Sequence, residues 1–300
     1  MNYLEKIFIT GANGSIGRKL CRVLLNNRNN LLIVACCRDT EGFDSLLAYL
    51  GREKSDRISL CLSSHVTEFD FCDIDTVIHL AFARMKYGDT AIAASMNFSS
   101  LLFTRLKQFQ IKRIINLSTQ GIYGKYPEIR KEDTTPAPNT TYSMAKYGVE
   151  CILQSLFSDS KTEIVNLRLD NVAQSQNLII GLCRSVKSEN LIKLVGGKQI
   201  FSYIDIDDAV NAIERVASFE GVCDWVYNVG IDCKRYTLIE IAGLVSEIAV
   251  LAGLPAPQIE IKEEDIQLFS GMDSKKFMDT FSWTPKIEIK EMIKRIFDSV

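Results

Sequence analysis

Tyr142 and Lys146 stand four residues apart in the run Tyr142-Ser143-Met144-Ala145-Lys146. On a helix, positions i and i+4 share a face, so a phenol and an ammonium placed there point into one cleft. A tyrosine at its free pKa of about 10 is a poor base at neutral pH. A lysine cation beside it favours the phenolate and brings Tyr142 towards acid–base work. The chain has ten tyrosines, and no other carries a lysine at i+4. The pair follows the strand-like run RIINLST (113–119) and its loop.

A second chemical motif lies near the start: Thr10-Gly11-Ala12-Asn13-Gly14-Ser15-Ile16-Gly17. Its glycines are spaced G-x-x-G-x-x-G, directly after the β-rich run KIFIT (6–10) and at the head of a helical stretch. A chain that turns sharply off a strand and lets its backbone approach a pyrophosphate has no room for Cβ atoms at those points. The new helix then offers free N–H groups and its positive dipole end to the phosphates. A dinucleotide is the ligand this arrangement predicts.

The end of the second strand chooses between the two nicotinamide dinucleotides. An acidic residue there hydrogen-bonds the ribose 2′-OH of NAD, whereas an arginine accommodates the 2′-phosphate of NADP. Along LLIVACCRDT, Cys37 falls at the acidic position, Arg38 directly after it and Asp39 one further. A neutral residue followed by arginine favours NADP. If Asp39 takes that role instead, NAD is favoured.

These groups need a scaffold, and the chain is patterned for one. LLIVACC (31–37), ISLCL (58–62), DTVIHLA (75–81), RIINLST (113–119) and EIVNLRL (163–169) are continuous apolar runs of strand length. Strands buried on both faces read this way, as in a parallel sheet covered by helices. Helical stretches are expected at 17–27, about 90–109 and 141–158, and the strand–helix alternation implies an α/β Rossmann-type doubly wound parallel sheet. After residue 171 the rhythm changes. A strand-like FSYIDI (201–206), an amphipathic helix from Thr237 to Leu251 and the break LPAP (254–257) suggest a smaller C-terminal substrate domain. The division expected is a dinucleotide-binding domain over 1–171, with 202–232 returning to it, and a substrate domain over 172–300.

Composition closes off other classes. Of 300 residues, 47% are apolar and 24% charged, which is globular rather than disordered. Lys plus Arg (35) nearly balances Asp plus Glu (37), a net charge of -2 that offers no field for nucleic acid. No signal peptide and no apolar run of about 18 residues is evident, so a cytoplasmic protein with no membrane partner is expected. The nine cysteines are an odd number without C-x-x-C and read as small buried hydrophobes in a reducing compartment. With only two histidines and no clustered ligands, no metal site is expected. His79, within an apolar strand, reads as a hydrogen-bonded core histidine rather than a base. KEED (262–265) reads as an exposed acidic turn. Asp205, Asp207 and Asp208 read as a strand–helix junction, with Asp208 favoured near a helix N-terminus.

In their order and spacing these segments resemble the extended short-chain dehydrogenase/reductases of the NAD-dependent epimerase/dehydratase type. The resemblance runs through TGANGSIG (10–17), DTVIHLA (75–81), Asn97, KRIINLSTQGIYG (112–124), YSMAK (142–146) and NLRLDN (166–171). It continues through YIDIDDAVNAI (203–213), YNVG (227–230) and SWTPK (282–286). It implies that Thr119, Tyr142 and Lys146 are the catalytic residues, the lysine also contacting the nicotinamide ribose. It implies further that Gly11, Asn13, Gly14, Ser15, Ile16, Gly17, Arg38, Leu80 and Ala81 surround the cofactor. Thr119 and Asn171 are implied substrate contacts, the substrate a nucleotide sugar, and the assembly a homodimer formed through a four-helix bundle.

The departures from that pattern narrow the chemistry. Dehydratases of the family follow their Ser-Thr with Asp and Glu; here Gln120 and Gly121 follow Thr119. A glutamine exchanges no proton at neutral pH. Ala173-Gln174-Ser175 replaces the usual Tyr-Gly-Pro, and Phe201 stands where an arginine for substrate phosphates is expected. Ser63 or Ser64 stands where an acidic residue near the adenine is common. Reduction of a 4-keto sugar nucleotide by NADPH is the expected reaction, with an NAD-dependent epimerase as the alternative. A non-catalytic NADP-binding regulator is a third reading, and the intact Thr119, Tyr142 and Lys146 argue against it.

Overall fold

The apolar run at 31–37 is a strand buried at six of its seven positions, as a strand sandwiched between helices must be. In the computed structural model, which describes residues 4–175 and 177–300, strands and helices then alternate along the chain. The elements begin β1 (Glu5–Thr10), α1 (Ser15–Asn27), β2 (Leu31–Cys37), α2 (Thr40–Leu50), β3 (Ile58–Leu62), β4 (Thr76–His79), α3 (Asp89–Leu106) and β5 (Arg113–Thr119). They continue α4 (Thr141–Phe157), β6 (Glu163–Leu169), β7 (Asn171–Val172), α5 (Asn177–Glu189), β8 (Leu191–Val195), β9 (Ile200–Phe201), β10 (Tyr203–Ile204) and α6 (Ile206–Ala217). Last come β11 (Val226–Val229), β12 (Tyr236–Thr237), α7 (Leu238–Leu251), β13 (Gln258–Lys262), α8 (Lys275–Phe281) and α9 (Ile289–Ser299).

The main sheet has seven strands in the order β11-β6-β5-β4-β1-β2-β3. β1 pairs in parallel with β2 on one side and β4 on the other, with Thr10 level with both Cys36 and His79. The chain runs outward through β2 and β3, then returns to lay β4 on the opposite side of β1. That reversal opens a crevice at the carboxyl ends of β1 and β4, where such sheets bind ligands.

The chain divides into two compact units. The first comprises the described residues of Met1–Ile122, Pro138–Arg168 and Val210–Tyr227. Its core joins Phe8, Val34, Cys36 and Val77 of the sheet to Leu102, Phe103 and Leu106 of α3 and Val149, Leu153 and Phe157 of α4. The second comprises Tyr123–Ala137, Leu169–Ala209 and Asn228–Val300. There α5, α7 and α9 pack on one another through Ile179, Cys183, Val245, Ile248, Met292 and Ile296.

Several expected elements differ in detail. FSYIDI is not one strand: β9 and β10 hold two residues each, and Asp205 accepts the Asp207 N–H at 2.7 Å, turning the chain into α6. α3 stops at Leu106, short of 109. The nine cysteines are all free thiols; five are buried, whereas Cys72, Cys151 and Cys233 are exposed and Cys223 is partly covered. No helix among the described residues is long and apolar enough to cross a membrane.

Candidate active site

The glycine loop has the geometry of a cradle. Gly11 takes φ +66°, and a Cβ on it would stand 3.0 Å from the Ala81 nitrogen. A Cβ on Gly17 would press to 2.2 Å from the Gly11 carbonyl oxygen, so the loop closes only with glycine at both places. α1 then starts from Gly14 with no side-chain cap and no acidic residue in its first turn. Its uncapped N–H groups and positive dipole end suit an anion. Arg18 braces the loop from behind, its Nη2 donating to the Asn13 carbonyl at 2.8 Å. Leu80 and Ala81 lie alongside, their N–H groups both donating to Thr10 Oγ1 at 3.0 and 3.1 Å. Gly11, Asn13, Gly14, Ser15, Ile16, Gly17, Leu80 and Ala81 are thus brought to one crevice edge, and the residues present fit a dinucleotide.

Cys37 ends β2 and is buried, with the Asn13 backbone N–H facing its sulfur; burial pushes the thiol up to about 11. Arg38 follows, exposed. Asp39 caps α2, its Oδ1 accepting the Gly42 N–H at 2.7 Å. Asn13 also packs on this turn: a Cβ on Gly42 would fall 2.4 Å from Asn13 Nδ2.

Tyr142 and Lys146 occupy the first turns of α4. Thr140 fixes the helix start through a reciprocal capping box with Ser143. Lys146 is 3% exposed, and its Nζ donates to the Leu117 carbonyl of β5. Two residues along that strand is Thr119, whose Oγ1 accepts the Gly121 N–H at 3.2 Å. A methyl group on Gly121 would touch Thr119 Oγ1 at 3.5 Å and Ser143 Cβ at 3.4 Å, which shows how closely the strand end approaches α4. Behind Lys146, Glu150 holds Arg168 through two contacts of 3.2 and 2.8 Å.

The electrostatics depart from the expectation that Lys146 draws Tyr142 towards phenolate. Burial pushes the phenol up to about 12, opposed by the positive charge of Arg84. Burial also lowers Lys146 to about 7, with Glu150 opposing. Desolvation penalises both charged forms, and at neutral pH Tyr142 carries its proton.

His79 is a core histidine, with Nδ1 2.9 Å from Thr10 Oγ1 and Nε2 2.9 Å from Ser99 Oγ. Asn171 belongs to the second unit, where its side chain donates to the Ser202 carbonyl at 3.0 Å. Phe201 stacks on Tyr203 with ring centres 6.0 Å apart. Asp208 accepts the N–H groups of Lys286 and Ile287 at 3.0 and 2.9 Å, a structural use of that carboxylate. Phe82, which no sequence signal marks, touches both members of the helical pair. The Lys146 Nζ lies 4.4 Å from its ring centre, and the Tyr142 ring meets it edge-on at 5.9 Å.

Comparison with known proteins agrees with this architecture. The family model described as NAD dependent epimerase/dehydratase family matches residues 7–230. The chain is 24% identical to dTDP-D-glucose 4,6-dehydratase of Dictyostelium discoideum, over 83% of this chain and 63% of that protein. It thus spans less than two thirds of that relative's length. It is also 24% identical to UDP-glucuronic acid decarboxylase 6 of Arabidopsis thaliana, over 95% of this chain and 86% of that protein. Among solved structures, UDP-glucuronic acid 4-epimerase from Bacillus cereus, in complex with UDP-glucuronic acid and NAD, superposes with a TM-score of 0.80 at 19% identity. That match covers 98% of both chains. UDP-glucose 4-epimerase from Thermotoga maritima superposes with a TM-score of 0.78 at 20% identity, covering 98% of this chain and 97% of that one. The chain belongs to the NAD-dependent epimerase/dehydratase family, within the extended short-chain dehydrogenase/reductases.

Proposed function

We propose that the protein reduces the 4-keto group of a sugar nucleotide with NADPH. The observation that carries this reading is Tyr142, held as a neutral phenol by burial and therefore poised as a proton donor. No carboxylic acid follows Thr119; Gln120 and Gly121 stand where a dehydratase of the family has Asp and Glu. When bound, a reduced nicotinamide supplies the two electrons and one hydrogen that the carbonyl carbon gains. Tyr142 gives its proton to the carbonyl oxygen as that oxygen becomes an alkoxide, and the Thr119 hydroxyl donates a hydrogen bond to the same oxygen. Lys146 orients the phenol's surroundings and the nicotinamide ribose. The preference for NADPH rests on neutral Cys37 at the end of β2, on exposed Arg38 beside it, and on Asp39 being engaged in capping α2.

In this reading the first unit holds the cofactor and the second, with Asn171, the substrate. The exposed Leu101 on α3 and Met144 on α4 support a homodimer built on those helices. The composition supports a cytoplasmic setting. A second reading, an epimerase with tightly held NAD, is favoured by the likeness to two UDP-sugar 4-epimerases over 98% of the chain. Releasing and identifying the nucleotide carried by the purified protein separates the two. Retained NAD supports the epimerase. An empty protein that takes up NADPH and oxidises it in the presence of a UDP- or dTDP-4-keto-6-deoxyhexose supports the reductase.

A further inference from the structure

We infer that Phe82 is the positioning residue of the Tyr142–Lys146 pair, its ring face carrying the Lys146 ammonium and its ring seating the Tyr142 phenol. The inference rests on Tyr142 and Lys146 being the working pair, and it is independent of the direction of the reaction.

A buried ammonium must replace the hydration it has lost. At Lys146 the Leu117 carbonyl supplies one acceptor. Among the charged and titratable groups on the packed elements, Glu150 also favours the cation, and the others do not. On α4, Glu150 is already shared with Arg168 of β6 at 2.8 Å. Tyr142, one turn earlier on the same helix, is a neutral phenol. On β4, His79 is held neutral by burial and by Lys146 itself, at about 3. Arg84, beyond Phe82, is a like charge acting on Tyr142. Beside that carboxylate, the aromatic face 4.4 Å from Nζ favours the cation through the negative face of its quadrupole.

The ring is also held in place. Its backbone is pinned on one side by the Leu80 and Ala81 N–H groups on Thr10 Oγ1 and on the other by the Ala83 N–H on Ser95 Oγ at 3.0 Å. The ring itself packs partly buried against the core of the first unit. The Tyr142 ring then meets it at an interplanar angle of 79°, an edge-to-face contact that fixes the phenol's tilt. One aromatic side chain next to the cofactor crevice thereby favours the charged form of the lysine against burial and orients the tyrosine.

A filler residue and an aromatic platform make opposite predictions. Leucine at position 82 keeps an apolar bulk but offers no quadrupole, whereas tyrosine keeps the face. Protein labelled with [ε-13C]lysine and carrying no substrate allows the Lys146 resonance to be titrated, its assignment given by its loss in Lys146→Met. The wild type is expected to titrate near 7. Phe82→Leu should lower that midpoint by about half to one and a half pH units, and Phe82→Tyr should leave it in place. Thermal melts of both variants verify that each is folded, and Phe82→Met serves as a second non-aromatic variant should leucine not fold. A wild-type midpoint near 7 that stays or rises in Phe82→Leu makes the ring a plain filler and overturns the inference, while the acid–base pair stands. A wild-type midpoint near 10 means the ammonium is hydrated, which overturns the inference and likewise leaves the acid–base pair standing.

Discussion

The Asp39 carboxylate accepts the Gly42 N–H at 2.7 Å, so the acidic group nearest the end of β2 serves as the N-terminal cap of α2. A carboxylate used this way satisfies a helix donor that would otherwise lack a partner. It is drawn towards α2, and the end of β2 is left to Cys37, whose thiol carries no charge at neutral pH. Arg38 is the charged side chain next in line for a 2′-phosphate. On the proposed NADPH reading, its exposed guanidinium would pair with that phosphate through charge-assisted hydrogen bonds. NADPH should bind roughly tenfold to a hundredfold more tightly than NADH. Arg38→Ala should remove most of that preference and barely alter NADH. Fluorescence titration of both proteins with both cofactors measures it, and tighter NADH binding by the wild type would overturn the assignment.

Tyr142→Phe removes one hydroxyl and leaves the ring against Phe82. Cofactor affinity should stay within about twofold, whereas turnover should fall by about 10²–10⁴, the usual worth of a positioned proton donor. Stopped-flow measurement of NADPH oxidation, alongside cofactor titration, separates the two effects. A variant with full turnover would remove Tyr142 from the mechanism.

Incubation with UDP-glucose or dTDP-glucose and NAD should give no 4-keto-6-deoxy product. Elimination of water needs an acid and a base beside the hexose, and Thr119 is followed by Gln120, which is buried, and Gly121. The 4-keto-6-deoxy product is followed by its ultraviolet absorbance in alkali, and a signal there would show that another residue pair supplies the acid and base.

How much was legible in the sequence follows from where each property originates. The strands of the main sheet were readable because burial on both faces leaves an unbroken apolar run, as in LLIVACC. The glycine loop was readable because φ and close backbone approach restrict residue type directly. α2 carried little signal: only Leu46 and Leu50 of its 11 residues are buried, and its start depends on one aspartate. The two-residue strands β9 and β10 carried none. The Tyr142–Lys146 pairing came from helical periodicity, but its electrostatics did not. A lysine at i+4 suggests a lowered phenol, and the opposite direction reflects burial, which is a property of the assembled unit. Phe82 escaped for the same reason, since its contacts with α4 exist only once β4 and α4 are packed together.

His79 offers a pH-dependent test of the packing beneath the cofactor crevice. The Ser99 hydroxyl donates to the Ser95 carbonyl at 2.8 Å, so it accepts from His79 Nε2–H. Thr10 Oγ1 accepts the N–H groups of Leu80 and Ala81 and donates its own proton to His79 Nδ1. The imidazole is therefore neutral with its proton on Nε2, and protonating Nδ1 would turn it against the Thr10 hydroxyl. Burial, aided by the nearby Lys146 charge, lowers its pKa to about 3 from the ordinary 6.5. A base whose folded pKa lies below its unfolded value contributes fully above 6.5 and loses that contribution as pH falls towards 3. His79→Gln keeps a donor and an acceptor but does not titrate, so the difference in unfolding free energy between wild type and variant isolates this one group. That difference should be flat above pH 7 and should shift against the wild type by about 2 kcal/mol on going to pH 5. Urea unfolding of both proteins across that range measures it. A difference independent of pH would mean that His79 titrates alike in the folded and unfolded chains, and the Thr10–His79–Ser99 chain would then not be what holds Leu80 and Ala81 beside the glycine loop.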